Sequence, residues 1–400
     1  MKFVKLNISL ITTFIFIFFC GTVIAADSFS EAIKNGKIGG EIKLRYQTND
    51  KNSLFDKEQS IFDSGLRLSF NSDVFCRFKA GINFYSVDDL GAYGNLADKS
   101  VHGIDHENTA AWLGEAYFQY DISNTMLKFG RQNLKSPMVN SDTWALFPNN
   151  FEAYLVQNKD IPDTTLKLAY ITEERVLKSE VFDDIAEDGI LMLGIVNSSL
   201  SDTKLRLYYY FINDINEISS FYLDAKTRIF PITLQGQYML IDPDVNESDP
   251  TNAFGLKASA DLEICELSLA ITSVDDGIMN AAKFSDNGIK TPLYTATITG
   301  AGYIAGATDT DSIKLAVSFT PLEKLKINAC IGFYNHGNDS SAYPDEEDTS
   351  IELVAIYTGI ESVTLFASYF NSDHHGVGAY SGSNVNDEVN SIRFWAKYAF

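Results

Sequence analysis

Apolar and polar residues alternate in short segments along nearly the whole chain after its first few dozen residues. The alternation is clearest at residues 41–46, 66–70, 203–207, 313–317, 325–329 and 392–400. Successive side chains of a β-strand point to opposite faces, so the pattern predicts strands with one apolar and one polar face. Soluble sandwiches and membrane barrels both contain such strands, and the alternation alone leaves both folds open.

The connections between the predicted strands favour a barrel, because short polar turns alternate with long loops. The short turns include residues 71–73, 121–124, 198–202, 321–324 and 358–362. The long loops include residues 86–110, 133–149, 172–189, 272–311, 335–349 and 372–389. A barrel with one tight rim has this arrangement, and we predict an all-β, closed antiparallel transmembrane barrel of about eighteen strands. Residues 293–300 are assigned to a loop, since an extra strand there would make the strand count odd.

Composition supports the membrane fold. The chain holds 28 Phe and 20 Tyr, yet after the N-terminus no apolar run is long enough for a spanning helix. The apolar strand positions predicted to face lipid are Leu44, Leu66, Leu68, Ile82, Phe84, Phe118, Leu127, Phe129, Leu168, Leu205, Leu207, Leu267, Leu269, Val317, Leu353 and Phe394. Tyrosines near the predicted strand ends, where aromatic girdles belong, are Tyr46, Tyr120, Tyr154, Tyr170, Tyr238, Tyr357, Tyr369 and Tyr398.

The N-terminus has the layout of a secretory signal. Lys2 and Lys5 precede an apolar stretch at residues 8–19, and small residues at 23–26 offer a cleavage site. The stretch is shorter than the ~20 residues of a spanning helix, and Phe18-Phe19 disfavour a lipoprotein signal at Cys20. We therefore predict a cleaved signal peptide at residues 1–26, a short periplasmic segment at 27–36 and the barrel at 37–400.

Charge and chemistry exclude several classes of function. A net charge of -22 argues against nucleic acid as a partner. Cys76, Cys265 and Cys330 remain after removal of the signal, without the spacing of a disulfide or metal framework. The five histidines, all in predicted loops and outside any catalytic or metal-binding motif, are His102, His106, His336, His374 and His375. We predict no enzymatic activity, no metal and no cofactor.

One run of motifs resembles a known family. Leu113-Gly114-Glu115-Ala116-Tyr117-Phe118-Gln119-Tyr120 leads through Leu127-Lys128-Phe129-Gly130-Arg131-Gln132 to Ser136-Pro137-Met138-Val139-Asn140-Ser141-Asp142. Phe147-Pro148-Asn149-Asn150-Phe151-Glu152-Ala153-Tyr154 completes the run. It resembles the OprD-type outer-membrane porins of Gram-negative bacteria, which implies an eighteen-stranded barrel for passive diffusion of small polar or charged solutes, such as amino acids or small carboxylates.

The resemblance also implies that the loop after the fifth strand folds into the barrel and narrows it. Here this loop spans residues 133–149, and its candidate constriction residues are Ser136, Asn140, Asp142 and Trp144. Its apolar residues would be poorly placed in water, which favours the infolded position over an exposed loop.

In selective members of the family a column of basic residues guides carboxylates along the wall. The candidates for this column are Arg45, Arg67, Arg77, Lys79, Lys128, Arg131, Arg206, Lys257, Lys314, Arg393 and Lys397. Candidate acidic residues on the pore wall are Glu41, Glu115, Glu152, Asp224 and Glu352. Strict alternation puts Arg131 towards lipid, and we predict that a bulge at Gly130 turns it into the lumen. The alternative is that these charges only pair with one another across a watery interior.

The expected partners are outer-membrane lipid, lipopolysaccharide and small polar solutes. The terminal Phe400 is expected to be read by the barrel-insertion machinery, and the protein to be a monomer or a homotrimer. Acidic runs in the outer loops are read as solvated charge, with loose divalent bridging to lipopolysaccharide as the alternative. A non-selective ion porin and a surface receptor or adhesin barrel remain alternative functions.

Overall fold

The computed structural model describes residues 26–50, 55, 60–88, 109–141, 146–176, 179–212, 217–244, 250–275, 292–298, 302–337, 347–377 and 384–400. Almost all of the predicted signal peptide, with His102, His106, Asp142 and Trp144, lies outside these residues.

Two short helices and nineteen strands occur in this part of the chain. The helices are α1 (Phe29–Lys34) and α2 (Gly302–Ala305). The strands are β1 (Lys37–Asp50), β2 (Ser60–Asn71), β3 (Phe78–Asp88), β4 (Thr109–Ile122), β5 (Thr125–Gln132), β6 (Asn150–Asn158), β7 (Thr164–Arg175), β8 (Asp183–Asp184), β9 (Ile190–Asn197), β10 (Thr203–Ile212), β11 (Glu217–Ile229), β12 (Ile232–Asp244), β13 (Thr251–Asp261), β14 (Cys265–Val274), β15 (Thr310–Leu322), β16 (Leu325–His336), β17 (Glu347–Ile360), β18 (Val363–Val377) and β19 (Asn384–Ala399). No helix in the described ranges has the length and apolar character needed to cross a membrane.

The strands form a closed antiparallel barrel, as predicted. Apart from the short β8, each strand pairs with the next, and β1 closes the ring by pairing with β19 as well as β2. The two-residue β8 pairs only with the end of β7, while β7 pairs directly with β9. The wall therefore contains eighteen strands. Residues 292–298 contain no strand, as predicted.

The two faces of the wall differ in chemistry, as the alternation requires. On β1, Leu44 is 41% exposed, whereas its neighbours Lys43 and Arg45 are 7% and 1% exposed. Large apolar residues exposed on the outer face include Leu44, Leu68, Ile82, Phe84, Phe118, Phe129, Leu168, Leu267, Leu269, Leu353 and Phe394. Their inward neighbours include many of the buried charged residues, so the charged candidates converge inside the barrel.

Candidate functional site: the barrel interior

A column of basic side chains lies on the inner face where the barrel closes. Lys43 and Arg45 lie on β1, and Arg393 and Lys397 lie on β19, with Lys43 directly opposite Lys397 in the register. Arg393 is 6% exposed and donates through Nε to Gln47 Oε1 at 3.0 Å. We call these four residues the basic column.

Carboxylates anchor the column on the β2 side. Arg45 forms a buried bidentate ion pair with Asp63, its register partner on β2. Arg67 lies 3.1 Å from Glu41, again between β1 and β2. Like charges crowded along one wall repel each other, and these carboxylates offset part of that repulsion.

The loop after β5 contacts strands on opposite sides of the barrel. The Leu146 carbonyl accepts a hydrogen bond of 3.2 Å from Lys43 Nζ on β1. At the other end, the Met138 amide donates to the Tyr210 hydroxyl on β10 at 3.3 Å, and Met138 Sδ accepts from Ser220 on β11 at 3.0 Å. β1 and β11 are about half a circumference apart in the wall.

Aromatic residues seat the loop at its β1–β3 end. Phe147 is 3% exposed, and its ring centroid lies 5.0 Å from that of Tyr85 and 6.3 Å from that of Trp112. Gly65 faces Lys43 across the ladder and leaves room for this ring, since a Cβ there would lie 2.5 Å from Phe147 Cε2. The local sequence thus permits a close approach of loop and wall.

Of the predicted constriction residues, Ser136 and Asn140 are described. Ser136 Oγ donates to the Val139 carbonyl at 2.6 Å and accepts from the Val139 amide at 3.1 Å. Asn140 accepts through its carbonyl from Asn149 at 3.3 Å. Both residues stabilise a tight turn that buries Val139 in an apolar cluster.

A second segment, residues 292–298, contacts the inner face of β12 to β17. The Tyr294 hydroxyl donates to the Gly236 carbonyl at 3.2 Å, and the Ile298 amide donates to Glu352 Oε2 at 2.8 Å. Lys314 donates to the Ala296 carbonyl. Leu293 belongs to the same cluster of buried apolar residues as Val139.

Residues 88–223 of the chain match the model of a protein family that is described as outer membrane porin, OprD family. The predicted resemblance to OprD-type porins is confirmed. Among curated proteins no match is found.

Solved structures of OprD-type porins share the fold. Pseudomonas aeruginosa OpdK, solved with vanillate, is 14% identical at a TM-score of 0.72, covering 92% of this chain and 99% of that one. Acinetobacter baumannii OccAB1 is 13% identical at a TM-score of 0.76, covering 95% and 99%. Pseudomonas aeruginosa OccK9 (OpdG) is 15% identical at a TM-score of 0.73, covering 92% and 99%. The outward face is therefore the one expected to contact outer-membrane lipid.

Most other charged candidates point into the barrel. Lys79 lies 2.8 Å from Asp121 near the end of the barrel where β4 turns into β5, and Lys128 lies 3.6 Å above the Tyr117 ring. Arg206 grips Asp224 through two hydrogen bonds of 2.7 Å. Glu115 is 7% exposed and accepts from Asn133 at 3.0 Å at the base of the loop after β5.

Arg131 and Glu152 were predicted to face the lumen. Both predictions are wrong, because the two side chains lie on the outward face of the wall. Gly130 does adopt a positive φ of 107°, but the β4–β5 ladder continues without a register shift. Glu152 lies between the fully buried Phe151 and Ala153 and therefore points outward, 3.5 Å from Arg131. The ion pair reduces the cost of two outward charges, so no inward turn is needed.

Arg77 is also misplaced by the prediction, because it lies in the turn between β2 and β3 with a φ of 71°. The turn is longer than the predicted residues 71–73, and β3 begins only at Phe78. Arg77 therefore contributes no side chain to the strand wall.

Two functional residues were missed from the sequence. Lys43 has the same strand parity as the predicted Arg45, and this signal could have identified it. Arg175 was assigned to a loop, yet it ends β7, donates to the Pro148 carbonyl at 2.9 Å and lies 4.1 Å from the Trp112 ring. Arg175 thus holds the same end of the loop after β5 as Phe147 does.

Replacing Gly65 with Leu is expected to displace Phe147 and loosen the loop at its β1–β3 end. Single-channel recordings should show a larger and noisier conductance than the unmodified protein. Gly236→Leu is the matched control, because a Cβ there meets only Leu256 Cδ2 at 3.6 Å. Equal conductance in both variants would contradict the packing of Phe147 against Gly65.

Replacing Arg45 with Leu leaves Asp63 buried without its partner and is expected to cost about 3–5 kcal/mol of folding stability. Adding Asp63→Leu should restore much of the loss, because both side chains are only 1% exposed. Urea unfolding in detergent, followed by tryptophan fluorescence, measures both effects. A double variant as unstable as Arg45→Leu would argue against the pair.

Proposed function

We propose that the chain is an outer-membrane porin whose passage runs between the basic column and the loop after β5. The proposal rests on two hydrogen bonds of this loop: Leu146 accepts from Lys43 on β1, and Met138 accepts from Ser220 on β11. A segment bound to nearly opposite sides of a closed wall has to cross the interior, where it narrows the open section.

The apolar cluster supports an off-centre passage. Val139 of the loop after β5 and Leu293 of the second segment pack with buried residues of β6 to β14. This side of the interior excludes water over the height of the cluster. We infer that the open passage lies towards β19, β1 and β2, on the side of the basic column.

We propose that the preferred solutes are small carboxylates. The Arg393 guanidinium stays charged at accessible pH and can donate hydrogen bonds to a carboxylate, while Lys397 adds charge along the same wall. The solved OpdK structure holds vanillate, which is itself a carboxylate. Glu115 and the Asp224 beside Arg206 provide counter-charges elsewhere on the wall, suited to the ammonium end of an amino acid.

Liposome swelling with a panel of carboxylates, cationic amino acids and neutral sugars tests the proposal. Benzoate-sized carboxylates are expected to enter faster than sugars of equal mass, and cationic amino acids slowest. Equal rates for the whole panel would favour a non-selective ion porin. Absence of any uptake by correctly folded protein would favour the receptor or adhesin reading.

Processing and assembly are part of the same proposal. We expect residues 1–26 to be removed on export, and Phe400 to serve barrel insertion, while the assembled protein is a monomer or a homotrimer. Phe400 remains 53% exposed although its carbonyl accepts from the Gly40 amide at 2.9 Å, which leaves its ring accessible. Intact mass of the purified protein and of its cross-linked form reports the cleavage site and the subunit number.

A further inference from the structure

The segment before β1 is attached to the periplasmic rim of the barrel. Its Ala26 amide donates to the Val74 carbonyl at 2.9 Å, and its Ala32 carbonyl accepts from the Asp73 amide at 2.9 Å. Residues 73 and 74 belong to the turn between β2 and β3. The segment is therefore fixed against a short turn at the end of the wall.

Local sequence explains the helix α1 in this segment. Ser28 caps its N-terminus, since its Oγ accepts from the Glu31 amide at 3.1 Å, and Glu31 in turn accepts from the Asp27 amide at 2.8 Å. Lys34 occupies the last turn, where a positive charge is favourable. A six-residue helix is unstable in water by itself, so its contacts with the barrel and its surroundings stabilise it.

The apolar residues of α1 form one face at positions i, i+3 and i+4. Ala32 is 2% exposed against the rim, whereas Phe29 and Ile33 on either side of it are 61% and 40% exposed. Ile38 at the start of β1 is 79% exposed. Water is an unfavourable solvent for these side chains, and their clustering marks an interaction surface.

A cavity of about 410 Å³ lies beneath this face. Its lining is mostly apolar, with Ser72, Asp73 and Lys79 at its polar side, and the apolar residues are Phe29, Ala32, Phe75, Phe78, Ala80, Phe118 and Phe129. Phe118 and Phe129 are exposed on the outward face, at 52% and 37%. The cavity is therefore continuous with the surface that contacts lipid.

Basic residues surround the polar edge of this surface. Lys34 and Lys37 are exposed where α1 passes into β1, and Arg77 lies in the neighbouring turn. An apolar cavity open to the hydrocarbon, with cationic groups beside it, has the chemistry of a phospholipid site: acyl chain inside and phosphate outside.

We propose that residues 27–36 form an interfacial foot that seats on the periplasmic leaflet and holds one acyl chain of a phospholipid in the cavity. Phe29 and Ile33 enter the headgroup boundary, and Lys34 and Lys37 contact the phosphates. The foot fixes the height of the rim in the bilayer, and it would do so whatever solute the barrel conducts.

Tryptophan quenching by brominated lipid tests the depth of the foot. Phe29→Trp in proteoliposomes of phosphatidylethanolamine and phosphatidylglycerol should add fluorescence that chain-brominated lipid quenches severalfold more than it quenches the signal added by Val181→Trp. Val181 is a matched control, being 60% exposed in the connection after β7. Equal, weak quenching of both added signals would overturn the insertion of the foot.

Native mass spectrometry tests the acyl site itself. Ala80→Phe fills the cavity and is expected to lose one retained phospholipid, whereas Ala225→Phe, at an outward position of β11, should keep it. Loss of lipid in neither variant, or retention of lipid A in place of phospholipid, would contradict the proposed occupant. Heat-modifiable migration on gels shows that each variant is folded.

Discussion

Replacing residues 136–147 with a short Gly-Ser linker is expected to raise the single-channel conductance roughly threefold, because the loop that we propose to cross the interior is removed while the wall stays closed. Strand pairing of β5 with β4 and β6 does not depend on these residues. The expected conductance increase should come with weaker discrimination between solutes in liposome swelling.

The control for this change is a Gly-Ser linker in place of residues 245–249, which lie between β12 and β13 in the chain and outside the loop after β5. This variant should keep the original conductance within the spread of repeated recordings. If shortening the crossing loop leaves the conductance unaltered, the loop does not bound the passage, and the proposed constriction is wrong.

Neutralising the two residues of the basic column that lie on β19 is expected to weaken the preference for anions. In Arg393→Gln with Lys397→Gln, the ratio of anion to cation permeability should fall roughly fivefold at low salt, and less at high salt, because screening shortens the range of the wall charges. Reversal potentials under a salt gradient measure this ratio. Lys43 is left in place because it also binds the crossing loop through Leu146.

Arg131→Gln is the matched control for charge. It removes one positive charge from the same barrel, but from the outward face beside Glu152. Its reversal potential should equal that of the unmodified protein. A shift as large as that of the double variant would mean that net charge, and not the basic column, sets the selectivity.

Alternation along the strands, together with the alternating short and long connections, was sufficient to predict the closed barrel, its strand number and the outward positions of residues such as Leu44 and Phe118. These features depend on local patterns, which a single sequence contains in full. The inward positions of Arg45, Arg206, Arg393 and Glu115 followed from the same parity. Residues 292–298 lie outside the wall, as predicted. Their contacts with Lys314 and Glu352 could not be predicted, because the amino-acid pattern near these residues does not indicate them.

The errors have identifiable physical causes. A lone outward charge is costly, and this cost favours an inward Arg131; the register partner Glu152, which offsets the cost, becomes apparent only in the folded barrel. Cys76 and Arg77 adopt positive φ values, which extend the turn between β2 and β3. The pattern of apolar and polar residues does not indicate these backbone conformations, and it therefore placed Arg77 on the wall. Arg175 was missed because its role depends on Pro148 and Trp112, both distant in sequence.

The central claim is that the barrel encloses a water-filled passage beside the basic column. Recording purified protein in a planar bilayer with a potassium chloride gradient tests it most directly. We expect discrete current steps whose reversal potential has the sign of an anion-preferring channel. A folded, inserted barrel that gives no steps, or steps that favour cations, would contradict the account.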